Sequence, residues 1–152
     1  MRIGIDYTAA VRQRAGSGRY TRELIAALLS LGSPHEYRVF AAVGGVERGA
    51  FDLSPRPGVR LHRVPLSDEW LARLWQRLRL PLPVEWVTGS LDLFYSPDFV
   101  LPPTHRKTRT LLTVHDLSFV HYPQHFVPRL VEYLNRAVRA AVARADGVLA
   151  DS

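Results

Sequence analysis

The sequence predicts a doubly wound α/β domain, a mainly parallel sheet with helices on both faces. Three observations predict it. Strand-like apolar runs alternate along the chain with stretches whose apolar residues recur at helical spacing, the pattern of successive βαβ units. One of those runs, Arg109 to Val114, is continuously apolar at its centre, as in a strand buried on both faces. Gly- and Pro-containing breaks separate the segments. Right-handed crossovers then wind such a sheet in both directions.

Taken in order, residues 2–6 (Arg-Ile-Gly-Ile-Asp) form the first strand, and a loop with Arg12, Arg14, Gly16, Ser17 and Gly18 follows. From Gly18 to Leu31, Leu24, Ala27, Leu28 and Leu31 fall at helical spacing, and Gly32-Ser33-Pro34 ends that helix. Tyr37 to Val43 is a buried-type strand closed by Gly44-Gly45. The loop Ser54-Pro55-Arg56-Pro57-Gly58 leads into a third strand, Val59 to Val64. Ser67-Asp68-Glu69 starts a helix that places Trp70, Leu71, Leu74, Trp75 and Leu78 on one face, and Pro81 and Pro83 break it. Leu91 to Tyr95 and Arg109 to Val114 are the fourth and fifth strands. Pro128 opens a helix with Leu130, Leu134, Val138 and Val142 along one side, and Gly147 to Ala150 is a sixth strand. His121 and His125 flank Pro123 and read as loop residues that share no helical face.

At 152 residues the chain has the length of one domain. Its 47% apolar and 22% charged residues exclude a disordered tail. With no cysteine, disulfides and cysteine-ligated metals are excluded. No apolar run reaches the ~18 residues of a membrane span. An acid at the sixth position argues against a secretory leader, so a cytoplasmic protein is expected. The net charge of +6 favours anionic partners, although of the twenty basic residues only Lys107 is a lysine, a bias that base composition explains as simply as phosphate recognition does. The arginines form no stripe and no nucleic-acid motif is present, so no nucleic-acid partner is expected.

Ligands of such sheets bind beyond the carboxyl ends of the strands. Gly16-Ser17-Gly18 lies between the first strand and the first long helix, where backbone N–H groups and the helix dipole suit a phosphate; a simple helix-capping turn has the same appearance. It is no dinucleotide fingerprint, because Thr21 stands where a third glycine belongs. His115 follows the fifth strand, where an imidazole can hydrogen-bond a substrate or stabilise charge. His115-Asp116 also has the appearance of a metal-phosphohydrolase dyad, but such sites draw their further ligands from helices, so no metal is expected. Asp6 and Asp98 end strands one and four; either could meet a ligand or cap its own turn. The Trp70 to Leu80 segment reads as a helix packed on the sheet, with membrane-surface docking as the alternative.

Five stretches, in order, carry a resemblance. They are residues 1–6, then Gly16-Ser17-Gly18-Arg19-Tyr20-Thr21-Arg22-Glu23-Leu24, then Ser96-Pro97-Asp98 with Leu101-Pro102-Pro103, then residues 113–119 (Thr-Val-His-Asp-Leu-Ser-Phe), and residues 145–152. Together they resemble the N-terminal half of GT-B fold glycosyltransferases of the family-4 (group 1) type. The resemblance implies a retaining enzyme that moves a hexose from a UDP- or GDP-linked sugar to a sugar, lipid or glycan acceptor, with no metal and no cofactor beyond the donor. It implies a Rossmann-like acceptor-side domain over 1–152, with the nucleotide-binding C-terminal domain absent from this stretch. The glycine loop (Gly16, Ser17, Gly18) would face the donor diphosphate, and His115 the donor sugar. Arg19, Tyr95, Asp6, Asp98 and Asp116 would belong to the loops on the acceptor side. The chain departs from the family at Tyr95, where a His is common, and at Tyr7-Thr8. By itself it is expected to be inactive. The competing expectations are a stand-alone carbohydrate-binding or regulatory module, one subunit of a split enzyme, and a peripheral membrane domain.

Overall fold

The computed structural model describes residues 1–14, 16–47, 53, 56–78 and 80–150, with the backbone alone at 76 and 77. Of the sequence readings, Ser54 and Pro55 of the loop before the third strand, and the terminal Asp151-Ser152, lie outside the described residues.

Six strands form one all-parallel sheet: β1 (Arg2–Asp6), β2 (Glu36–Ala42), β3 (Val59–Val64), β4 (Leu93–Ser96), β5 (Arg109–Val114) and β6 (Gly147–Ala150). The order across the sheet is β3-β2-β1-β4-β5-β6, so direction of travel reverses between β1 and β4. This is the Rossmann-like arrangement that the alternating pattern predicts. The reversal opens a crevice at the carboxyl ends of β1 and β4.

Side-chain alternation sorts the core into two faces. One holds Ile5, Val39, Ala41 and Tyr95 and is covered by α1 (Thr8–Arg12) and α2 (Ser17–Ser30), which contributes Ile25. The other holds Phe40, Phe94 and Leu112 and is covered by α3 (Asp68–Ala72) through Leu71 and by α6 (Pro128–Val142) through Ala141. Phe40, Phe94, Ile5 and Leu112 are essentially inaccessible to solvent. A smaller cluster of Phe119, Leu134 and Val138 joins α6 to α5 (Ser118–His121).

Several elements differ from expectation. The stretch after Asp6 is not all loop: α1 buries Ala9, Ala10 and Val11. The helix begun at Ser67, whose hydroxyl accepts from the Trp70 N–H, passes into a π-helical segment over Arg73–Arg77. The wider turn shifts the apolar face, so Leu71 is buried and Trp75 packs on Phe40, while Trp70 is 55% and Leu78 61% exposed. A four-residue α4 (Glu85–Thr88) lies inside the proline-rich stretch, where Glu85 is buried and accepts from the His105 N–H and the Thr108 hydroxyl. His121 ends α5 and His125 ends a 3₁₀ turn, Pro123–His125, rather than lying in open loop. On α6 the buried side is Leu134, Ala137, Val138 and Ala141, with Leu130 and Val142 exposed. Among the described residues no helix is long and apolar enough to cross a membrane.

Candidate functional site

Two clefts meet at the carboxyl edge of the sheet, one on each side of the loop that leaves β4. The first, about 420 Å³, lies on the α2 side and is lined by Gly16, Ser17, Tyr20, His115 and Asp116, with Phe119, Leu134 and Val138 beneath. The second, about 450 Å³, lies on the α3 side and is lined by Asp6, Thr8, Arg12, Asp68 and Trp75. Asp98 and Phe99 line both and form the lip between them.

Helix α2 starts abruptly, and Gly16 makes this possible. Its φ of 58° is a left-handed conformation that a side chain would strain, and no side chain caps the helix behind it. The first-turn N–H groups have no partner within the helix, and Gly16 and Ser17 at this end of α2 border the first cleft, where the dipole favours an anion. Gly18 solves a different problem. A Cβ there would sit 2.1 Å from the Gln13 carbonyl oxygen and 2.8 Å from that of Ala9, so the first turn of α2 lies directly on the preceding segment. Arg22 locks that contact: its guanidinium donates to the carbonyls of Ala10 at 2.6 Å, Gln13 at 2.7 Å and Arg14 at 2.6 Å. The Ser17 hydroxyl donates to Gln13 Oε1 at 2.8 Å.

His115 is held from two directions. Its Nε2 lies 2.9 Å from the Pro97 carbonyl. A carbonyl only accepts, so Nε2 is the donor in this bond. The Tyr20 ring meets the imidazole edge to face, with centroids 4.7 Å apart and planes at 82°. Behind Tyr20, its hydroxyl is 3.4 Å from that of Tyr95, which in turn shares a 2.8 Å hydrogen bond with Thr113 Oγ1. Tyr95 is thus buried beneath the site as a support, and lines neither cleft. Arg19 is exposed and also lines neither.

The carboxylates divide their work. Asp116 Oδ1 accepts from the backbone N–H and hydroxyl of Ser118, at 2.8 and 2.5 Å, which opens α5 and holds its carboxyl below the usual range. Asp6 Oδ1 accepts from the Thr8 N–H at 2.9 Å, and Asp98 Oδ1 from the Phe99 N–H at 2.8 Å. Each therefore caps its own turn and lines a cleft as well. Burial pushes the Asp98 carboxyl up. Burial pushes Asp6 up to about 6, with Asp98 and Asp68 adding to the shift and Thr8 opposing it. The fold therefore holds the Asp6 proton more tightly than the unfolded chain does. Stability from this group is present at low pH and is lost as pH rises from about 4 to about 6. Asp6→Asn is expected to be more stable than the parent by roughly 1–3 kcal/mol above pH 6, the difference vanishing toward pH 4. Urea unfolding of both proteins across that range checks it.

Among the described residues no group of three or more His, Cys, Asp or Glu side chains stands close enough to hold a metal ion. Comparison of the chain with protein-family models, with curated proteins and with solved structures returns no match.

The motifs found Gly16, Ser17 and His115, and the structure brings them to one cleft. They did not single out Tyr20 and Arg22 for a role. The only available signal for either was membership of the Gly16 to Leu24 stretch.

Proposed function

We propose that this chain is the acceptor-side domain of a retaining glycosyltransferase that uses a nucleotide-linked hexose. The observation that carries the proposal is the pairing of the α2 N-terminus with His115 across one cleft at the carboxyl edge of a Rossmann-like sheet. The anionic diphosphate of a donor fits the Gly16-Ser17 end of that cleft, with Gly18 packed behind it, and the hexose then lies beside His115. The strand order and the five sequence stretches in their family order support the same reading.

Retention constrains the chemistry. The anomeric carbon–oxygen bond to the diphosphate breaks, and the acceptor oxygen bonds to the same face of the sugar. The acceptor proton passes to the departing phosphate oxygen. Negative charge that develops on the diphosphate meets the N–H groups of the α2 turn, which are fixed in advance by Gly18 and Arg22. His115, oriented by its Nε2 hydrogen bond to the Pro97 carbonyl, presents its ring to the sugar as positive character grows at the anomeric carbon. Across the Asp98 lip, the cleft with Asp6 is where the acceptor hydroxyl enters.

The test is transfer by the native polypeptide from a panel of UDP- and GDP-hexoses, with the product anomer read by NMR. The proposal expects nucleoside diphosphate release coupled to a product of the donor's own anomeric configuration. An inverted product, or no diphosphate release from any donor, overturns it.

A further inference from the structure

Tyr20 lines the first cleft, yet its polar end is engaged beneath it. Its hydroxyl lies 3.4 Å from that of Tyr95, a residue only 6% exposed that borders neither cleft. What Tyr20 offers the cleft is therefore its ring. That ring meets the His115 imidazole with centroids 4.7 Å apart and planes at 82°, the T-shaped contact that aromatic quadrupoles favour.

These contacts close a circuit. Thr113 stands two residues before His115, the spacing that puts side chains on one face of a strand. Its Oγ1 shares a 2.8 Å hydrogen bond with the Tyr95 hydroxyl on β4. Tyr95 meets Tyr20 on α2, and Tyr20 returns to His115. Thr113 is fully enclosed, so the circuit is rooted in the core. Its other end is fixed as well. The Tyr20 N–H donates to the Gly16 carbonyl at 3.0 Å, in the same first turn that Arg22 and the close packing of Gly18 hold in place. One rigid unit thus carries both the Gly16-Ser17 end of the cleft and the ring against which the imidazole rests.

We infer that Tyr20 is a positioning residue: through its ring, not its hydroxyl, it sets the plane in which His115 faces the donor sugar. This rests on the glycosyltransferase reading for the reaction that His115 serves. The hydrogen bond from Nε2 to the Pro97 carbonyl fixes a point and a direction on the imidazole. Packing of ring on ring fixes the plane. Removing the Tyr20 ring leaves the Gly16-Ser17 end of the cleft as it was, so the loss falls on the chemical step and not on donor binding.

Kinetics and NMR of the native polypeptide test this together. With the UDP- or GDP-hexose that it turns over, Tyr20→Leu is expected to lower kcat about tenfold and to change the donor KM by less than about twofold, a partial form of the roughly hundredfold cost of misplacing a catalytic group by about 1 Å. Tyr20→Phe keeps the ring and is expected to recover most of that loss. In the His115→Ala protein, Tyr20→Leu is expected to cost less than about twofold more, because residues that act as one unit are not additive. Equal losses in Tyr20→Phe and Tyr20→Leu would give the hydroxyl a direct role and overturn the inference. So would a Tyr20→Leu cost that persists undiminished in the His115→Ala protein. The ring contact itself is read without catalysis, from the imidazole C–H resonances of ¹³C-histidine-labelled protein, with His115 assigned through His115→Ala. Tyr20→Leu is expected to shift the His115 resonances by removing the neighbouring ring current, Tyr20→Phe to leave them near the parent position, and the other histidines to stay in place in both. His115 resonances indifferent to Tyr20→Leu overturn the inference whether or not sugar is transferred. Resonances that respond as expected, in a protein that turns over no donor, keep the ring contact and remove the glycosyltransferase reading instead.

Discussion

Gly18→Ala is expected to destabilise the fold by about 3 kcal/mol, near the upper end for forcing an extra methyl group into a packed site. For a domain of this size that is a fall in melting temperature of roughly 10 °C. The cause is local. The added methyl carbon would lie 2.1 Å from the Gln13 carbonyl oxygen, and the obstructing atom is backbone, not the end of a flexible side chain. Relief requires the segment before α2 to move away, which breaks the Arg22 bonds to Gln13 and its neighbours. Alanine's better helix propensity returns only ~1 kcal/mol. Gly16→Ala is the control. It meets open space but strains a φ of 58°, and its cost is expected near 1–2 kcal/mol. Thermal unfolding of the two variants checks the ordering, and a Gly18→Ala protein as stable as the parent would contradict the packing described for the loop.

The second large effect is on activity. His115→Ala in the native polypeptide is expected to lower kcat for glycosyl transfer by two to three orders of magnitude, roughly 3–4 kcal/mol of transition-state stabilisation. The melting temperature should change by only about 2 °C. His115 is partly exposed at the cleft, and its hydrogen bond to Pro97 and its contact with Tyr20 tie together loops outside the main core. Steady-state kinetics with calorimetry on the same samples separates the two quantities. Turnover like the parent's would remove His115 from the reaction.

The inner strands were legible because they are buried and bounded, and the outer ones, β3 and β6, because glycines mark their starts. Arg109 to Val114 carries its pattern without interruption, and Leu112 and Thr113 are fully enclosed. Short helices were not legible, for a physical reason. Helix α1 has five residues, no side-chain cap and too little length for a 3.6-residue period to register; tertiary burial of Ala9, Ala10 and Val11 stabilises it. The π-helical turn at Arg73–Arg77 defeats a regular helical wheel, so the spacing that puts Trp70 on the buried face with Leu71 and Trp75 does not hold, and Trp70 is exposed. At the candidate site, the glycine loop and His115 were visible because each directly borders a strand or helix end. The links that hold them were not. Tyr20, Tyr95 and Thr113 come from three separate elements, and Arg22 bonds only to carbonyls, which every residue possesses.

The most direct measurement of the central claim is hydrogen exchange of the native polypeptide with and without a nucleoside-diphosphate hexose. The account predicts that protection rises together in two segments distant in sequence, residues 16–20 and 113–118, because they border one cleft. Binding that protects neither segment, or only one of them, would contradict it.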